Sequence, residues 1–403
     1  MAAALHRGEG EIERRDALTD PIYQFLMPTK IVHGPHSVAR LGNEARLLKR
    51  TKALVVSDAG VQAAGLLEPV LGSLREAGLD SVLFVDVPAD PDIEVVRQGT
   101  ALGLEAGCDL VVAAGGGSPM CAGKSIAIVA TNGGSIRDYE GFGRVKVPPW
   151  PVIAIPTTAG SGTEVSAVTI LADKERRIKM AIASPLTYPA VAILDPVLLL
   201  SLPFRQAVVS GIDALCHAIE AYLTNQATPL TDAIALRAVE MLGANLRTAA
   251  TTRDLAAKDA CLLGSSMANI ACGNARLGLT HALSWPVSCL YDVPHGVANG
   301  ILLPYVLEFT LPAAVERMAR LAVAMGATGG AEGLIRAVKQ LLVECQFPRA
   351  FDPQQVDPAG IPQMVGMLKE GVYALFSQVN LRPATPADMT ALYKRSFEGW
   401  ELD

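Results

Sequence analysis

The chain has 403 residues and carries 34 lysines and arginines against 40 aspartates and glutamates, which gives a formal net charge of −6. A chain of this length exceeds what one hydrophobic core usually organises, so two domains are expected. The negative charge, without a basic cluster interleaved with aromatic residues, argues against nucleic acid as a partner. Half of the residues are hydrophobic, which is an ordinary composition for a globular protein.

The cysteines and the hydrophobic segments indicate the cellular compartment in which the protein is expected. None of the seven cysteines forms a C-x-x-C pair, and an odd, scattered set favours free thiols in a reducing compartment over a disulfide framework. Residues 1–15 lack the apolar stretch of a signal peptide. No stretch reaches about 18 uninterrupted apolar residues, so no membrane span is expected. The sequence therefore predicts a soluble cytoplasmic protein.

The first half of the chain predicts a parallel sheet. Residues 1–20 are polar and are expected to form a flexible tail. Beyond them, short apolar runs alternate with helix-like stretches, and continuous apolar runs indicate a sheet buried on both faces. Alternation of strands and helices indicates parallel strands. The predicted strands cover residues 53–56, 82–85, 110–113, 152–155 and 191–194.

The second half predicts helices only, because strand signals stop after Pro203. The boundary is placed near residue 204, which divides the chain into a tail (1–20), an α/β domain (21–204) and an all-helical domain (205–403). Helices are predicted at the amphipathic stretches 206–223, 229–248, 254–271, 312–326, 331–345, 361–378 and 386–400.

Two loops predict a nucleotide site. The strand at 110–113 runs into three glycines and a serine, residues 115–118, and the strand at 152–155 runs into a loop of glycines and small hydroxyl residues, 156–164. The first loop is neither a G-x-G-x-x-G nor a Walker motif. Glycines nevertheless let a phosphate approach the backbone, and the following helix offers its amide groups. Each loop is also compatible with a simple tight turn, but together they predict a dinucleotide crevice.

Asp58 follows the first predicted strand of the chain, residues 53–56. A carboxylate there accepts hydrogen bonds from ribose hydroxyls and repels a 2′-phosphate, which favours NAD over NADP. The alternative is a helix cap or a turn aspartate.

Three of the six histidines fall close together in sequence and suggest a metal site. Asp213 and His217 are four residues apart, so a helix would place them on one face. His281 and His295 are expected in sharply positioned segments, residues 278–281 and 293–296, rather than in regular helix. A lone buried histidine is usually a satisfied core residue. One carboxylate with three imidazoles, however, suits a divalent transition metal.

Four motifs resemble those of the iron-containing (group III) alcohol dehydrogenases. They are residues 115–118 followed by Lys124, residues 157–164, residues 211–220 (GIDALCHAIE) and residues 294–299 (PHGVAN). Residues 380–385 (NLRPAT), followed by Leu392 and Tyr393, add a further similarity. The motifs lie in the family's order with similar spacings, and the resemblance covers roughly residues 25–400.

The resemblance implies a Rossmann-like nucleotide-binding domain, a helical metal-binding domain and a site in the cleft between them, an architecture like that of dehydroquinate synthase. It implies that Asp213, His217, His281 and His295 hold the metal and act through it. It also implies cofactor contacts from Asp58, Gly116, Gly117, Ser118, Thr157, Thr158 and Lys179, and a substrate pocket that includes Val168, Cys272, Arg276 and Trp285.

Three residues depart from the family pattern. Cys121 stands where an acidic residue is usual, so cofactor affinity is expected to be weaker or the loop to pack differently. Trp285 stands where a second histidine, linked to proton relay, is frequent, and its indole is expected to shape or dry the pocket. Arg276 replaces a small residue. It is expected either to form an ion pair or to clamp a carboxylate, sulfonate or phosphonate.

The expected function is hydride transfer between NAD(H) and a small alcohol or aldehyde, including one with an anionic group, with Fe²⁺ as the expected metal and Zn²⁺ or another transition ion as the alternative. A homodimer or larger homo-oligomer is implied by the resemblance. Three alternatives stay open: a hydroxyacid–oxoacid transhydrogenase, a metal- and NAD-using cyclase of the dehydroquinate synthase type, and an inactive nucleotide-binding or filament-forming protein.

Overall fold

The computed structural model describes residues 22–176, 178–369 and 371–402, so the predicted tail lies outside the described residues. Strands and helices are numbered in chain order. The main sheet contains β1 Lys30–His33, β2 Lys52–Val56, β3 Asp80–Phe84, β4 Leu110–Gly115, β6 Val152–Pro156 and β9 Val191–Leu194. Its six strands are all parallel, in the order β1-β9-β6-β4-β2-β3.

The sheet is buried on both faces, as the continuous apolar runs predicted. In β2, Ala53 and Val55 belong to one buried cluster, whereas Leu54 and Val56 belong to a second cluster on the opposite face. All five predicted strands are present. The edge strand β1 was not predicted, because it is short and its two end residues are exposed. The helices of this half are α1 Leu41–Leu47, α2 Ala59–Ala63, α3 Glu68–Glu76, α4 Ile93–Glu105 and α5 Gly117–Asn132.

A second, three-stranded sheet was not predicted. It consists of β5 Gly141–Phe142, β7 Val168–Asp173 and β8 Ile178–Ala183, with β7 and β8 antiparallel and β5 parallel to β8. In β7, buried residues alternate with more exposed ones. Such alternation is typical of a strand with one face in the core, so a search for continuous apolar runs misses it.

The order of the main sheet reverses at β2, because β3 pairs with one side of β2 and β4 with the other. In sheets of this kind, ligands bind outside the carboxyl ends of the strands at the reversal. Asp58 follows β2, and the loops at 115–118 and 156–164 follow β4 and β6. The register places Gly115 beside Pro156. The two loops therefore meet at the edge of the sheet where a nucleotide is expected.

The second half of the chain is helical. From Gly211 to Tyr222 every residue of the first of these helices is buried, so each polar group on it needs a partner inside the protein. That helix packs against the next two and against the fifth. The helices are α6 Phe204–Tyr222, α7 Pro229–Thr251, α8 Leu255–Ala275, α9 Leu279–Tyr291, α10 His295–Ala324, α11 Gly330–Glu344, α12 Ile361–Met367, α13 Gly371–Val379 and α14 Pro386–Arg395.

Two of the predicted helices differ from the observed ones, and one observed helix was not predicted. The stretch 361–378 is two helices, α12 and α13, rather than one. The stretch 312–326 is only the end of α10, whose backbone is kinked at Ala314, and α9 was not predicted at all. Both α9 and α10 contain prolines, which sequence patterns treat as helix breakers.

Among the described residues, α10 alone is long and apolar enough to cross a membrane by length and composition, with a mean hydropathy of 1.3 over its most apolar window. In that window 72% of the residues are buried inside the protein. This burial is what the core helix of a globular protein shows.

Candidate active site

The four predicted ligands come from three helices. Asp213 and His217 lie one turn apart on α6, as their spacing predicted. His281 is the third residue of α9 and His295 is the first residue of α10. The expectation that these two lie outside regular helix was wrong, since each occupies a first helical turn. Ligand atoms of Asp213, His281 and His295 lie within 4.8 Å of one another.

His217 is not part of that group of three but lies directly beside it. Its ring stacks on the ring of His281, with centroids 4.6 Å apart and planes 20° apart. The ring of His295 lies 5.2 Å from that of His281. The fold therefore brings all four side chains together from positions up to 82 residues apart in sequence.

Burial sets the protonation of this cluster. It lowers the pKa of His217 to about 4 and that of His295 to about 3, because a charged imidazole is poorly solvated inside the protein. Burial would raise the pKa of Asp213, but the three imidazoles and a hydrogen bond from Asn299 outweigh it, so the pKa of this carboxyl is lowered. At neutral pH, His217 and His295 are neutral and Asp213 is charged, which is the state that binds a cation.

These pKa values predict how the stability of the metal-free protein depends on pH. Between about pH 6.5 and pH 4, His217 and His295 take up protons in the unfolded chain but not in the folded one. The unfolded state then binds more protons, so the free energy of unfolding falls as the pH falls, by about 1.4 kcal/mol per pH unit for each histidine. Above pH 6.5 the two histidines no longer lower the free energy of unfolding. Urea unfolding midpoints at pH 7 and pH 5 test it, and equal midpoints would contradict it. His295→Asn should flatten the dependence.

The oxygen and nitrogen atoms of the proposed metal ligands have too few hydrogen-bond donors around them to pair every lone pair. Unpaired lone pairs of this kind are available to a cation. The amide Nδ2 of Asn299 lies 2.7 Å from Asp213 Oδ1, 3.1 Å from His281 Nε2 and 3.2 Å from His295 Nε2. An amide has two N–H groups, so it cannot satisfy three acceptors at once. In addition, His217 Nδ1 is buried without a hydrogen-bond partner among the described residues. Because lone pairs outnumber donors here, the residues present fit a divalent cation.

Glu220, the last residue of the 211–220 motif, was not among the predicted site residues, and the structure places it beside His281. It lies on the same face of α6 as Asp213 and His217. Its Oε2 is 2.6 Å from Nδ1 of His281. The signal was in the sequence, because Glu220 follows His217 by three residues.

Trp285 and Cys272, both predicted for the substrate pocket, are buried near the ligands. Trp285 lies one turn after His281 on α9, and its ring meets that of His295 edge-on at 6.0 Å. Burial and the carboxylates of Glu220 and Asp213 raise the pKa of the Cys272 thiol. A thiol of this kind stays protonated, so Cys272 is suited to lining a pocket rather than to nucleophilic attack.

The two glycine-containing loops face each other. A side chain at Gly116 would contact Thr158 at 3.6 Å, and one at Gly117 would contact Ser161 at 3.2 Å, tighter than ordinary van der Waals contact. Gly116 caps α5, with no side chain bound to its first amides, and Ser118 is in its first turn. Thr157 is buried, and its N–H donates to the carbonyl of Gly115 over 3.0 Å. The loops thus leave backbone N–H groups at a helix start, the arrangement that phosphates prefer.

Asp58 and Lys179 are the two remaining residues predicted to contact the cofactor. Asp58 caps α2 through Oδ1, which accepts the N–H of Val61, and Oδ2 lies 3.4 Å from where a side chain at Gly115 would begin. The cap is the alternative predicted for Asp58, whereas Oδ2 accepts no hydrogen bond within the described residues, and the ribose contact stays a prediction. Lys179 lies on β8 and pairs with Asp90 at 3.0 Å. Its charge contributes to the lowered pKa of His295, and its contact with the cofactor stays a prediction.

Cys121 does not contact the early amides of α5. Its sulfur accepts the N–H of Ile170 in β7 over 3.5 Å, and its carbonyl accepts the hydroxyl of Thr169. The two expectations for this departure, weaker cofactor affinity and different packing of the loop, both stay predictions. On the same helix, Lys124 is 1% exposed and donates to the carbonyls of Ser166 and Val168 over 2.6 and 2.7 Å.

Arg276 and Val168, the two remaining pocket residues, are exposed. Arg276 follows the last turn of α8 with a φ of 75°, a left-handed conformation that is uncommon for a non-glycine residue. Within the described part of the chain its guanidinium forms no ion pair, so the interdomain pair considered from the sequence is not found there. The side chain of Val168 lies at the start of β7 and is 37% exposed.

The fold and the site together define a class: a two-part enzyme with a nucleotide-type parallel sheet and a buried carboxylate–imidazole cluster in the helical part. Comparison with known families agrees. The iron-containing alcohol dehydrogenase model matches residues 28–196, and the C-terminal model of the Fe-containing alcohol dehydrogenase family matches residues 207–397. This chain belongs to the iron-containing alcohol dehydrogenase family.

Individual relatives are similar over nearly their whole length. A 1,3-propanediol dehydrogenase from Klebsiella pneumoniae is 36% identical over 387 residues, covering 93% of this chain and 99% of the relative. An NAD-dependent methanol dehydrogenase from Bacillus methanolicus is 34% identical, covering 92% and 99%. The crystal structure of a 1,3-propanediol oxidoreductase superposes with a TM-score of 0.90 at 35% identity, covering 94% and 100%.

The predicted family, the fold class and the assignment as an alcohol and aldehyde oxidoreductase are confirmed by these matches. The predicted cofactors, NAD(H) and iron, are those of the family.

Proposed function

We propose that this chain is a metal-dependent alcohol dehydrogenase or aldehyde reductase that transfers a hydride between NAD(H) and a small alcohol or aldehyde. The observation that carries the proposal is the gathering of donor atoms from Asp213, His281 and His295 within 4.8 Å, with His217 stacked beside them. Iron is proposed because the family is iron-containing. The donor set itself would also accept zinc, nickel, cobalt or manganese.

In this proposal, Asp213, His217, His281 and His295 hold the ion. When bound, such an ion supplies Lewis-acid polarisation of an alcohol or carbonyl oxygen, and a nicotinamide supplies the hydride acceptor or donor. The protein keeps its donors ready, since burial holds His217 and His295 neutral at physiological pH. Trp285, packed edge-on against His295, is proposed to exclude water from one side of the reacting groups.

The nucleotide is proposed to lie across the facing loops. Its phosphates would meet the amides of Gly116, Gly117 and Ser118 at the start of α5, with Thr157 and Thr158 opposite. The free oxygen of Asp58 would bind a ribose hydroxyl, which favours NAD over NADP. Lys179 is proposed as a further cofactor contact. The NAD-dependent methanol dehydrogenase supports this choice of cofactor by similarity.

The substrate is proposed to be small, in a pocket formed by Val168, Cys272, Arg276 and Trp285. A guanidinium without an ion-pair partner in the described chain supports the idea that Arg276 binds an anionic group on the substrate. The test is a comparison of neutral and carboxylated aldehydes. Arg276→Ala should weaken only the second class.

The alternatives are separable. The alcohol dehydrogenase family models match both halves of the chain, which favours a dehydrogenase over a cyclase or an inactive protein. A transhydrogenase keeps its nucleotide bound while two substrates alternate. Release of NAD(H) in each turnover therefore separates it from the proposed dehydrogenase.

Removal and restoration of the metal test the proposal. Chelation should lower NADH-dependent reduction of a short aldehyde by at least a hundredfold, because the polarising ion supplies several kcal/mol of transition-state stabilisation. Fe²⁺ should restore the rate, and NADPH should serve less well than NADH. The surface variant His33→Ala should behave as the parent does. If the stripped protein kept its full rate, the proposal would fail.

We further propose a homodimer or larger homo-oligomer in the cytoplasm, with small molecules rather than nucleic acid or membrane as partners. The division into domains at residues 21–204 and 205–403 is likewise proposed. Strand β9 of the main sheet ends at Leu194, and α6, the first helix of the helical half, begins at Phe204. These bounds support the proposed division.

A further inference from the structure

Helix α6 carries a third polar residue on the face that holds Asp213 and His217. Glu220 follows these residues by seven and three positions, so the three side chains lie along one side of the helix. Glu220 is buried, with 3% of its surface exposed. Burying a carboxylate costs several kcal/mol unless it is paired and hydrogen-bonded. The partners of Glu220 therefore indicate why a charge is kept at this position.

Glu220 accepts three hydrogen bonds, all from the beginning of α9. The N–H of Thr280 donates to Oε1 over 2.5 Å, and the N–H of Gly278 donates to Oε2 over 3.1 Å. The third donor is Nδ1 of His281, 2.6 Å from Oε2. One carboxylate on α6 thus binds both the backbone of the first turn of α9 and the histidine within that turn.

The backbone contacts make Glu220 the cap of α9. Gly278 occupies the position before the helix and has no side chain with which to cap it. A negative charge at a helix start is also favourable because the amide dipoles point toward it. A side chain on Gly278 would begin 3.1 Å from Glu220 Oε1 and 3.2 Å from Asn380 Oδ1. The glycine lets the carboxylate approach closely.

The contact with His281 fixes which nitrogen carries the proton. An ionised carboxylate only accepts hydrogen bonds, so Nδ1 of His281 must be the donor. In the neutral imidazole the lone pair then lies on Nε2, on the other side of the ring. Nε2 is 3.8 Å from Asp213 Oδ1 and 3.1 Å from Asn299 Nδ2, in the centre of the donor cluster.

We propose that Glu220 is a positioning residue that holds His281 as the Nδ1-protonated tautomer, so that its Nε2 faces the cation site before any ion arrives. The same carboxylate also caps α9, so Glu220 fixes the position of the His281 ring relative to the first turn of α9. The inference rests on the proposed function, because it takes His281 as a metal ligand.

Glu220→Gln, an almost isosteric change, separates the roles of this carboxylate. The amide has one acceptor oxygen and one donor nitrogen, so it cannot accept from both His281 and the backbone of Thr280 as the carboxylate does. Co²⁺ is the probe, and its visible absorption reports the ligand geometry. We expect Co²⁺ to bind the variant 10- to 100-fold more weakly, the usual effect of losing a partner of a ligating histidine, with an altered spectrum.

Asp195→Asn is the matched control. Asp195 is fully buried and accepts three backbone N–H groups, from His36, Val38 and Val197, at 3.0 to 3.1 Å, but contacts no proposed metal ligand. This variant should lose stability and keep the Co²⁺ affinity and spectrum of the parent. If Glu220→Gln instead bound Co²⁺ with the parent's affinity and spectrum, the role of Glu220 would be refuted while the metal site stood. If the parent bound no Co²⁺, the proposed function itself would fall.

A second measurement needs no variant to fold. In the metal-free parent, at a pH where the ring is neutral, long-range ¹H–¹⁵N spectra of the histidine rings should show His281 protonated at Nδ1 and not at Nε2. A proton on Nε2 would overturn the inference.

Discussion

Asp213→Asn is expected to abolish nearly all oxidoreductase activity without unfolding the protein. Asparagine has the size of aspartate, and its carbonyl oxygen can still accept the N–H of Asn299, which donates to Asp213 Oδ1 over 2.7 Å. The change removes the only negative charge among the proposed ligands. The cation would then rely on neutral imidazoles in a buried site, where an uncompensated charge is poorly solvated.

The expected fall in kcat/KM is roughly a thousandfold or more, because loss of the polarising ion removes several kcal/mol and each 1.4 kcal/mol is a factor of ten. Elemental analysis should show correspondingly less iron per chain. Asp388→Asn is the matched control, since Asp388 is a partly exposed member of the capping box of α14, outside the site. Parent-like activity and iron content in the Asp213 variant would refute the assignment of this ligand.

Lys124→Met is expected to cost about 3 kcal/mol of unfolding free energy. The buried ammonium donates to two partly buried backbone carbonyls, of Ser166 and Val168, and such charge-assisted bonds are worth about 1.5–3 kcal/mol each. Burial lowers the pKa of Lys124 to about 8, so the group is still charged at pH 7. Methionine fills the space but leaves both carbonyls unpaired. The removed desolvation cost offsets part of the loss.

Lys258→Met provides the comparison. Lys258 is 3% exposed, and its ammonium donates to one carbonyl, that of Ala249, over 2.7 Å. We expect about half the destabilisation, measured by urea unfolding of both variants at pH 7, because one charge-assisted bond is lost instead of two. A loss for Lys124→Met no greater than for Lys258→Met would contradict this account. The KM for substrate should rise only in the Lys124 variant, because Lys124 anchors the segment that leads to Val168.

The hairpin of β7 and β8 connects several of these residues. Lys124 and Cys121 on α5 both bind its first strand or the segment before it, through Val168 and Ile170. Its second strand carries Lys179, whose charge affects the pKa of His295. This hairpin was absent from the predicted elements, yet it contains two of the predicted site residues.

Much of the fold followed from sequence patterns. Continuous apolar runs predicted the four inner strands of the main sheet and the edge strand β3, because a strand buried on both faces leaves no polar side. Spacing gave the shared helical face of Asp213 and His217, because the α-helix repeats every 3.6 residues. These inferences are local, and a local pattern is sufficient for them. The hairpin, whose strands bury one face, and α9, which contains a proline, departed from the patterns that were sought.

The amino-acid sequence by itself determined the family, the class of reaction and which residue types serve as candidate ligands, since these depend on short motifs in a fixed order. Only the tertiary structure decided how Asp213, His281 and His295 meet, that Asn299 lies among them, and that Glu220 binds His281. The physical reason is that these contacts join three helices. Where one helix packs on another depends on the whole buried core around them, which no spacing within a single segment records.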